Sequence, residues 1–147
     1  MFVAKKFKWE AAHRIPWHPG KCQNLHGHSY KMDVEFEGDV DSNGIVIDFN
    51  DIKALIDPYV ELFDHSTIIS KNDHELLEVF KQKSWKHHVL DFDSTAENFC
   101  IFFSNIIAGE NAEFLQKNGI RRVGIRVFET DTAYAYKLTD LKNHKAI

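Results

Sequence analysis

The chain has 147 residues, which is one domain by the usual size range and enough to bury roughly two-thirds of its unfolded surface. With 44% hydrophobic and 27% charged residues, 3 Pro, 7 Gly and no repeat, it reads as an ordinary globular protein rather than a disordered or fibrous one. A formal net charge of −4 speaks against nucleic acid and against an anionic membrane as partners.

Met1 to Lys6 is already strand-like, with no long apolar run behind it, so neither a signal peptide nor a membrane span is expected and a cytoplasmic location follows. In that reducing setting the two cysteines, Cys22 and Cys100, need separate explanations instead of a disulfide. The 12 Phe point to apolar faces larger than one subunit needs, and so to an oligomer.

In chain order, a strand is expected over about Val3 to His13, with Phe7, Trp9, Ala11 and His13 on one face. A second, about His28 to Val40, follows a short loop and carries Tyr30, Met32, Val34 and Phe36 inward. Asp41-Ser42-Asn43-Gly44 is a turn signal, and Ile45 to Phe49 reads as a third short strand. Asn50 is an N-cap candidate for a helix with Ile52, Leu55, Ile56, Tyr59 and Phe63 in one stripe, interrupted at Pro58. Residues 66 to 93 give the weakest pattern: Asp73 to Lys83 has helical character, and Ser84-Trp85-Lys86-His87-His88 reads as a loop. Ser94 to Asn118 is a second helical region with Phe99, Phe103, Ile106 and Ile107 inward, a break at Gly109 and a stop at Gly119. Strands over Arg121 to Thr130 and Ala133 to Thr139 complete the pattern. The order strands, helices, strands gives an α+β layer, helices covering one face of an antiparallel sheet.

The chemistry concentrates around the first loop. If it folds the strands back on each other, His13, His26 and His28 converge as three nitrogen ligands with a fourth position open, the catalytic rather than the structural zinc arrangement. Imidazole also accepts copper, nickel and iron, but an all-imidazole set suits zinc. Cys22, four residues before His26, is either a fourth ligand that closes the site or a general base whose thiolate the cation favours. Cys100, between Phe99 and Ile101, reads as a small buried hydrophobe. Asp64-His65 presents a carboxylate beside an imidazole where a helix ends, although adjacent residues seldom bond each other directly. Glu129 continues the apolar face of Val123, Ile125 and Val127, so it needs a partner with paired N–H donors or an outlet to solvent. Glu97 is accounted for by a capping box, Ser94-x-x-Glu97, with a ligand contact as the alternative.

Ala11-Ala12-His13, Cys22-x-x-x-His26-Gly27-His28, Asp48-Phe49, Asp64-His65, Thr95-Ala96-Glu97-Asn98 and Glu129-Thr130, in this order, resemble the 6-pyruvoyl- and 6-carboxy-tetrahydropterin synthase family from about Phe7 to Tyr136. The resemblance implies a single T-fold domain over 1–147, subunits pooling their sheets into a barrel, trimers stacked as hexamers, and active sites at subunit boundaries. It implies zinc on His13, His26 and His28, Cys22 as the proton-abstracting base, His65 with Asp64 and Glu129 in proton relay, and a pterin held by Glu129 with Glu97 and Thr95 nearby. The short Cys-x-x-x-His spacing resembles the 6-carboxy branch. That branch acts on 7,8-dihydroneopterin triphosphate on the route to queuosine and other 7-deazapurines. The stretch from Ser66 to Asp93 departs from the compact members of the family. For the triphosphate, Arg14, His18 and Lys21 are the expected basic patch.

Overall fold

In the computed structural model, which describes residues 1–141, β1 (Phe2–His13) and β2 (His26–Gly38) form a long antiparallel hairpin. Its alternation is the one the sequence predicts: Phe7, Trp9, Ala11 and His13 are buried, while Lys6, Lys8 and Glu10 face the other way and are exposed. β2 begins two residues earlier than expected, so His26 lies within the ladder, opposite His13.

Helix α1 (Phe49–Phe63) starts one residue before its expected cap, because Asp48 rather than Asn50 is the N-cap and accepts the Asn50 N–H. No strand forms over Ile45 to Phe49. The Asp41 carboxylate takes the N–H groups of Asn43 and Ile45, Asp48 takes the helix start, and Val46 and Ile47 enter the core from irregular backbone. Pro58 does not break α1: Ala54, whose carbonyl loses its partner, is exposed, so water can satisfy it.

The segment from Ser66 to Asp93 holds three elements: β3 (Ser66–Ser70), α2 (His74–Lys83) and β4 (His87–Leu90). β3 is buried along its whole length and runs parallel to β1, with β4 parallel beside it. The expected loop at Ser84 to His88 is therefore only half right, since His87 and His88 open β4. Ser84 adopts the left-handed conformation that ends α2.

The second helical region is α3 (Ala96–Ser104), a wide π turn (Asn105–Glu110) and α4 (Ala112–Lys117), with Gly119 at φ +75° ending it. β5 (Ile120–Thr130) and β6 (Ala133–Asp140) complete a six-stranded sheet in the order β4-β3-β1-β2-β5-β6. Four of the five strands read from sequence form and are antiparallel as expected, and β3 and β4 extend them in parallel. The core lies between the sheet and α1 and α3. There Trp9 stacks on Tyr30 (centroids 5.2 Å, planes 9° apart) and is ringed by Phe63, Phe99 and Phe103. The opposite face is a lattice of ion pairs, among them Lys6 with Asp33, Arg126 with Glu35 and Arg122 with Glu37. No helix among the described residues is long and apolar enough to cross a membrane.

Candidate functional site

Hairpin register brings the histidines together. His13 pairs with His26 and Ala11 with His28, so all three rings project from the end of the core face. Their ligand-capable nitrogens lie within 4.8 Å of one another, and the ring centroids are 4.6 to 5.1 Å apart.

Hydrogen bonds settle two of the tautomers. His13 Nδ1 lies 3.0 Å from the Ser94 carbonyl and His26 Nδ1 lies 2.7 Å from the Asn24 carbonyl. A carbonyl only accepts, so each Nδ1 carries the hydrogen and each Nε2 carries a lone pair. Those two Nε2 atoms are 3.2 Å apart. Two lone pairs at that distance repel unless a cation or proton lies between them. Protons are disfavoured: burial foremost, then the neighbouring His26 and His28, lowers the His13 pKa to about 4, and burial followed by His26 lowers that of His28. A neutral, pre-oriented, all-imidazole cluster fits a zinc ion.

Ser94 and Tyr30 complete the surroundings of His13, and their role was not legible in the sequence. Ser94 Oγ is 3.0 Å and the Tyr30 hydroxyl 3.2 Å from His13 Nδ1. Because Ser94 is committed to His13, the helix cap passes to Thr95, whose Oγ1 accepts the Asn98 N–H. The expected capping box from Ser94 to Glu97 is thus not built. Glu97 stands exposed in the first turn of α3 and lines a cavity of about 190 Å³ with Glu129, Thr130 and Tyr134. Glu129, half-buried at the end of β5, has its pKa raised by burial first and by the Glu97 charge second, with His26 opposing. Thr95 is half-buried at the head of the same helix.

Cys22 sits in a 3₁₀ turn, Lys21–Gln23, partly exposed; the Tyr30 pKa is raised by burial first, then by Glu129 and least by Cys22. The group of ligand-capable atoms within 4.8 Å of one another holds the three histidines and not Cys22. Cys100 is buried as expected, its thiol directed at the carbonyls of Ile125 and Ala135.

Asp64 and His65 do bond each other directly, Oδ2 to Nδ1 at 2.8 Å. The positive φ of His65 (53°) accompanies this unusual neighbour contact, and the second Asp64 oxygen accepts the Glu10 N–H. Among the described residues neither member of the pair hydrogen-bonds Cys22. With Glu10, Gly27, His28, Ser29, Trp85 and Lys86, His65 lines an open cavity of about 640 Å³ that Cys22 does not line. The expected basic patch also changes: Arg14 is held by Asp73 and Glu75 and is not a free cation.

A family model described as 6-pyruvoyl tetrahydropterin synthase matches residues 2–138. A Haemophilus influenzae 6-carboxy-5,6,7,8-tetrahydropterin synthase is 30% identical over 140 residues, 90% of this chain and 94% of the relative. A Rickettsia bellii protein of the same name is 33% identical over 136 residues, covering 88% and 94%. In three dimensions the chain is similar to the 6-pyruvoyl tetrahydropterin synthase of Plasmodium falciparum, with TM-score 0.75, 20% identity and coverage of 95% and 98%. This likeness establishes the T-fold.

Proposed function

Because the chain belongs to the 6-pyruvoyl tetrahydropterin synthase family, we propose that it is a zinc-dependent lyase that converts 7,8-dihydroneopterin triphosphate and one water to 6-carboxy-5,6,7,8-tetrahydropterin, acetaldehyde and triphosphate. The observation that carries this reading is the facing pair of Nε2 lone pairs on His13 and His26, with His28 beside them and a thiol on the adjoining loop. His13, His26 and His28 would hold the zinc. When bound, zinc polarises the oxygens of the substrate side chain and makes the adjacent C–H bonds more acidic.

The chain's own residues supply the rest. Cys22, as thiolate, takes the proton from that carbon. His65, its Nδ1 held by Asp64, has Nε2 free to pass a proton onward. Glu129 accepts from the paired N–H edge of the pterin, Glu97 stands at the rim, and Thr95 caps the helix that carries it. An edge lacking those donors would leave Glu129 desolvated and unpaired, which is how the ring is selected.

His65 lines a cavity that Cys22 does not share, so we infer that the relay uses a second chain, as in a homo-oligomer whose active sites lie between subunits. The open edges of β4 and β6 offer backbone for sheets to join into a barrel, and a homohexamer is the assembly we infer. Queuosine synthesis in the cytoplasm is the setting of this reading. Preference for the 6-carboxy product rests on the short Cys22-x-x-x-His26 spacing and on the names of the relatives.

Incubation of zinc-loaded protein with 7,8-dihydroneopterin triphosphate, with product analysis by mass spectrometry and Cys22→Ala as control, tests the proposal. Acetaldehyde with a 6-carboxypterin product, both lost in the control, is expected. A pyruvoyl product without acetaldehyde would place the chain in the sister activity, and absence of turnover with zinc bound would overturn the enzymatic reading.

A further inference from the structure

The stretch from Ser66 to Asp93 has no part in the reaction proposed above, yet three of its carboxylates reach the loop that carries Cys22. Arg14, next to His13 in the chain, places Nε and a terminal nitrogen on the two oxygens of Asp73, each at 2.6 Å, and touches Glu75 at 3.0 Å. Asp73 is almost fully buried and also caps α2 by accepting the Leu76 N–H. Three residues beyond Arg14, the Trp17 indole N–H donates to Asp93 at 2.8 Å.

Between these two pins Ile15 is buried, and its N–H donates to the Cys22 carbonyl at 2.8 Å. The outgoing limb of the loop is therefore fixed to α2 and to the approach to α3, and the returning limb, with the thiol, is tied to it. The residue after Asp93 is Ser94, which orients His13. Two consecutive residues thus hold the two halves of the site, one the ring and the other the loop.

We propose that the Ser66–Asp93 segment is a clamp in which Asp73 and Asp93, by holding Arg14 and Trp17, set the position of Cys22 relative to the three-histidine cluster; its catalytic consequence rests on the function proposed above. Both are positioning residues, since neither is argued to touch substrate. The geometry is demanding because a proton-transferring group must come within about 3 Å of its target, and misplacement by about 1 Å can cost on the order of 100-fold in rate. A surface loop without such ties opens locally at little cost.

Trp17→Phe keeps the ring and deletes the donor, Asp93→Ala deletes the acceptor, and Asp93→Asn keeps an acceptor. The second-order rate of iodoacetamide reaction reports on Cys22, because Cys100 is buried, and kcat and KM are measured with 7,8-dihydroneopterin triphosphate. Trp17→Phe and Asp93→Ala are expected to raise the alkylation rate severalfold and to lower kcat roughly tenfold. KM is expected to stay within about twofold and zinc content to be unchanged, with Asp93→Asn near the parent in every readout. Unchanged alkylation and kcat in the first two variants would overturn the clamp. So would parallel loss of zinc and melting temperature, which would make the contact only structural. If the parent protein gives no turnover while alkylation separates the variants as described, the clamp stands and the proposed reaction falls.

Discussion

Substituting Glu129 by Gln probes the recognition half of the proposal. Glu129 is half-buried, and its carboxylate is destabilised first by burial and then by the charge of Glu97, so without a ligand it is both under-hydrated and repelled. A pterin edge offering two N–H donors would relieve both penalties through charge-assisted hydrogen bonds worth about 1.5–3 kcal/mol each. Gln keeps one acceptor, loses the charge and sets an NH₂ against a donor, so about 3 kcal/mol is lost. That is roughly 100-fold in kcat/KM. The loss should appear mainly in KM and in the affinity for the bare pterin, measured by fluorescence quenching. The pH profile supplies a second readout. A raised pKa means that Glu129 takes up a proton at a higher pH than an ordinary carboxylate, so kcat/KM declines on the acid side sooner than the usual carboxylate value predicts. Glu97→Gln removes one cause of the elevation and should move that limb to lower pH. Unchanged KM in Glu129→Gln, together with an unmoved limb in Glu97→Gln, would refute the assignment of Glu129 as the pterin anchor.

Tyr30→Phe removes the hydroxyl beside His13 Nδ1 and should weaken zinc about tenfold in competition with a chromophoric chelator, whereas equal affinity would leave Tyr30 a packing residue only. In zinc-free protein, His13 titrates near 6.5 when unfolded and near 4 when folded. Between those values the unfolded chain holds a proton that the folded one lacks, so stability falls as pH drops through that window, by about 3 kcal/mol at its lower end. Melting temperatures of chelator-treated protein at pH 7, 6 and 5 check this, and a flat series would contradict it. Trp9→Ala empties the centre of the aromatic cluster and should cost about 3–5 kcal/mol in denaturant unfolding. Mixed and re-annealed Cys22→Ala and His65→Ala chains should recover turnover that neither has alone; no recovery would count against a relay between chains.

What was legible in the sequence follows from which constraints are local. The hairpin and its three histidines could be read because strand parity alone puts His13, His26 and His28 on the face of Trp9 and Tyr30. β3 could not, because it is buried throughout between β1 and β4 and has polar residues at both ends, so it shows no alternation. The Ile45 to Phe49 strand failed for the converse reason: apolar β-branched residues were present, but Asp41 and Asp48 had already claimed the flanking backbone. Glu97 illustrates a third case. Its pattern satisfied a capping box, yet Ser94 was drawn away by His13, a residue 81 positions earlier, and no local rule contains that competitor.

The same parity that assembles the zinc cluster also divides the proposed machinery. His13 and Glu10 lie on one strand three residues apart, an odd interval, so they project from opposite faces. Asp64 is fixed to the backbone of Glu10, and His65 donates its own N–H to the Glu10 carbonyl. The pair is therefore anchored through backbone bonds to β1 at Glu10, whose own side chain leaves the core. Rotamer changes move a ring by a few ångströms and cannot carry it through a sheet whose inner side is packed with Trp9 and Tyr30. If His65 and Cys22 serve one reaction, the missing half of each site must come from another copy. The large cavity around His65, which His28 also lines, is where that copy would present its own loop and thiol. On this reading the Cys22 loop must hold its shape while projecting from its own subunit. The double anchorage through Arg14 and Trp17 provides the required rigidity.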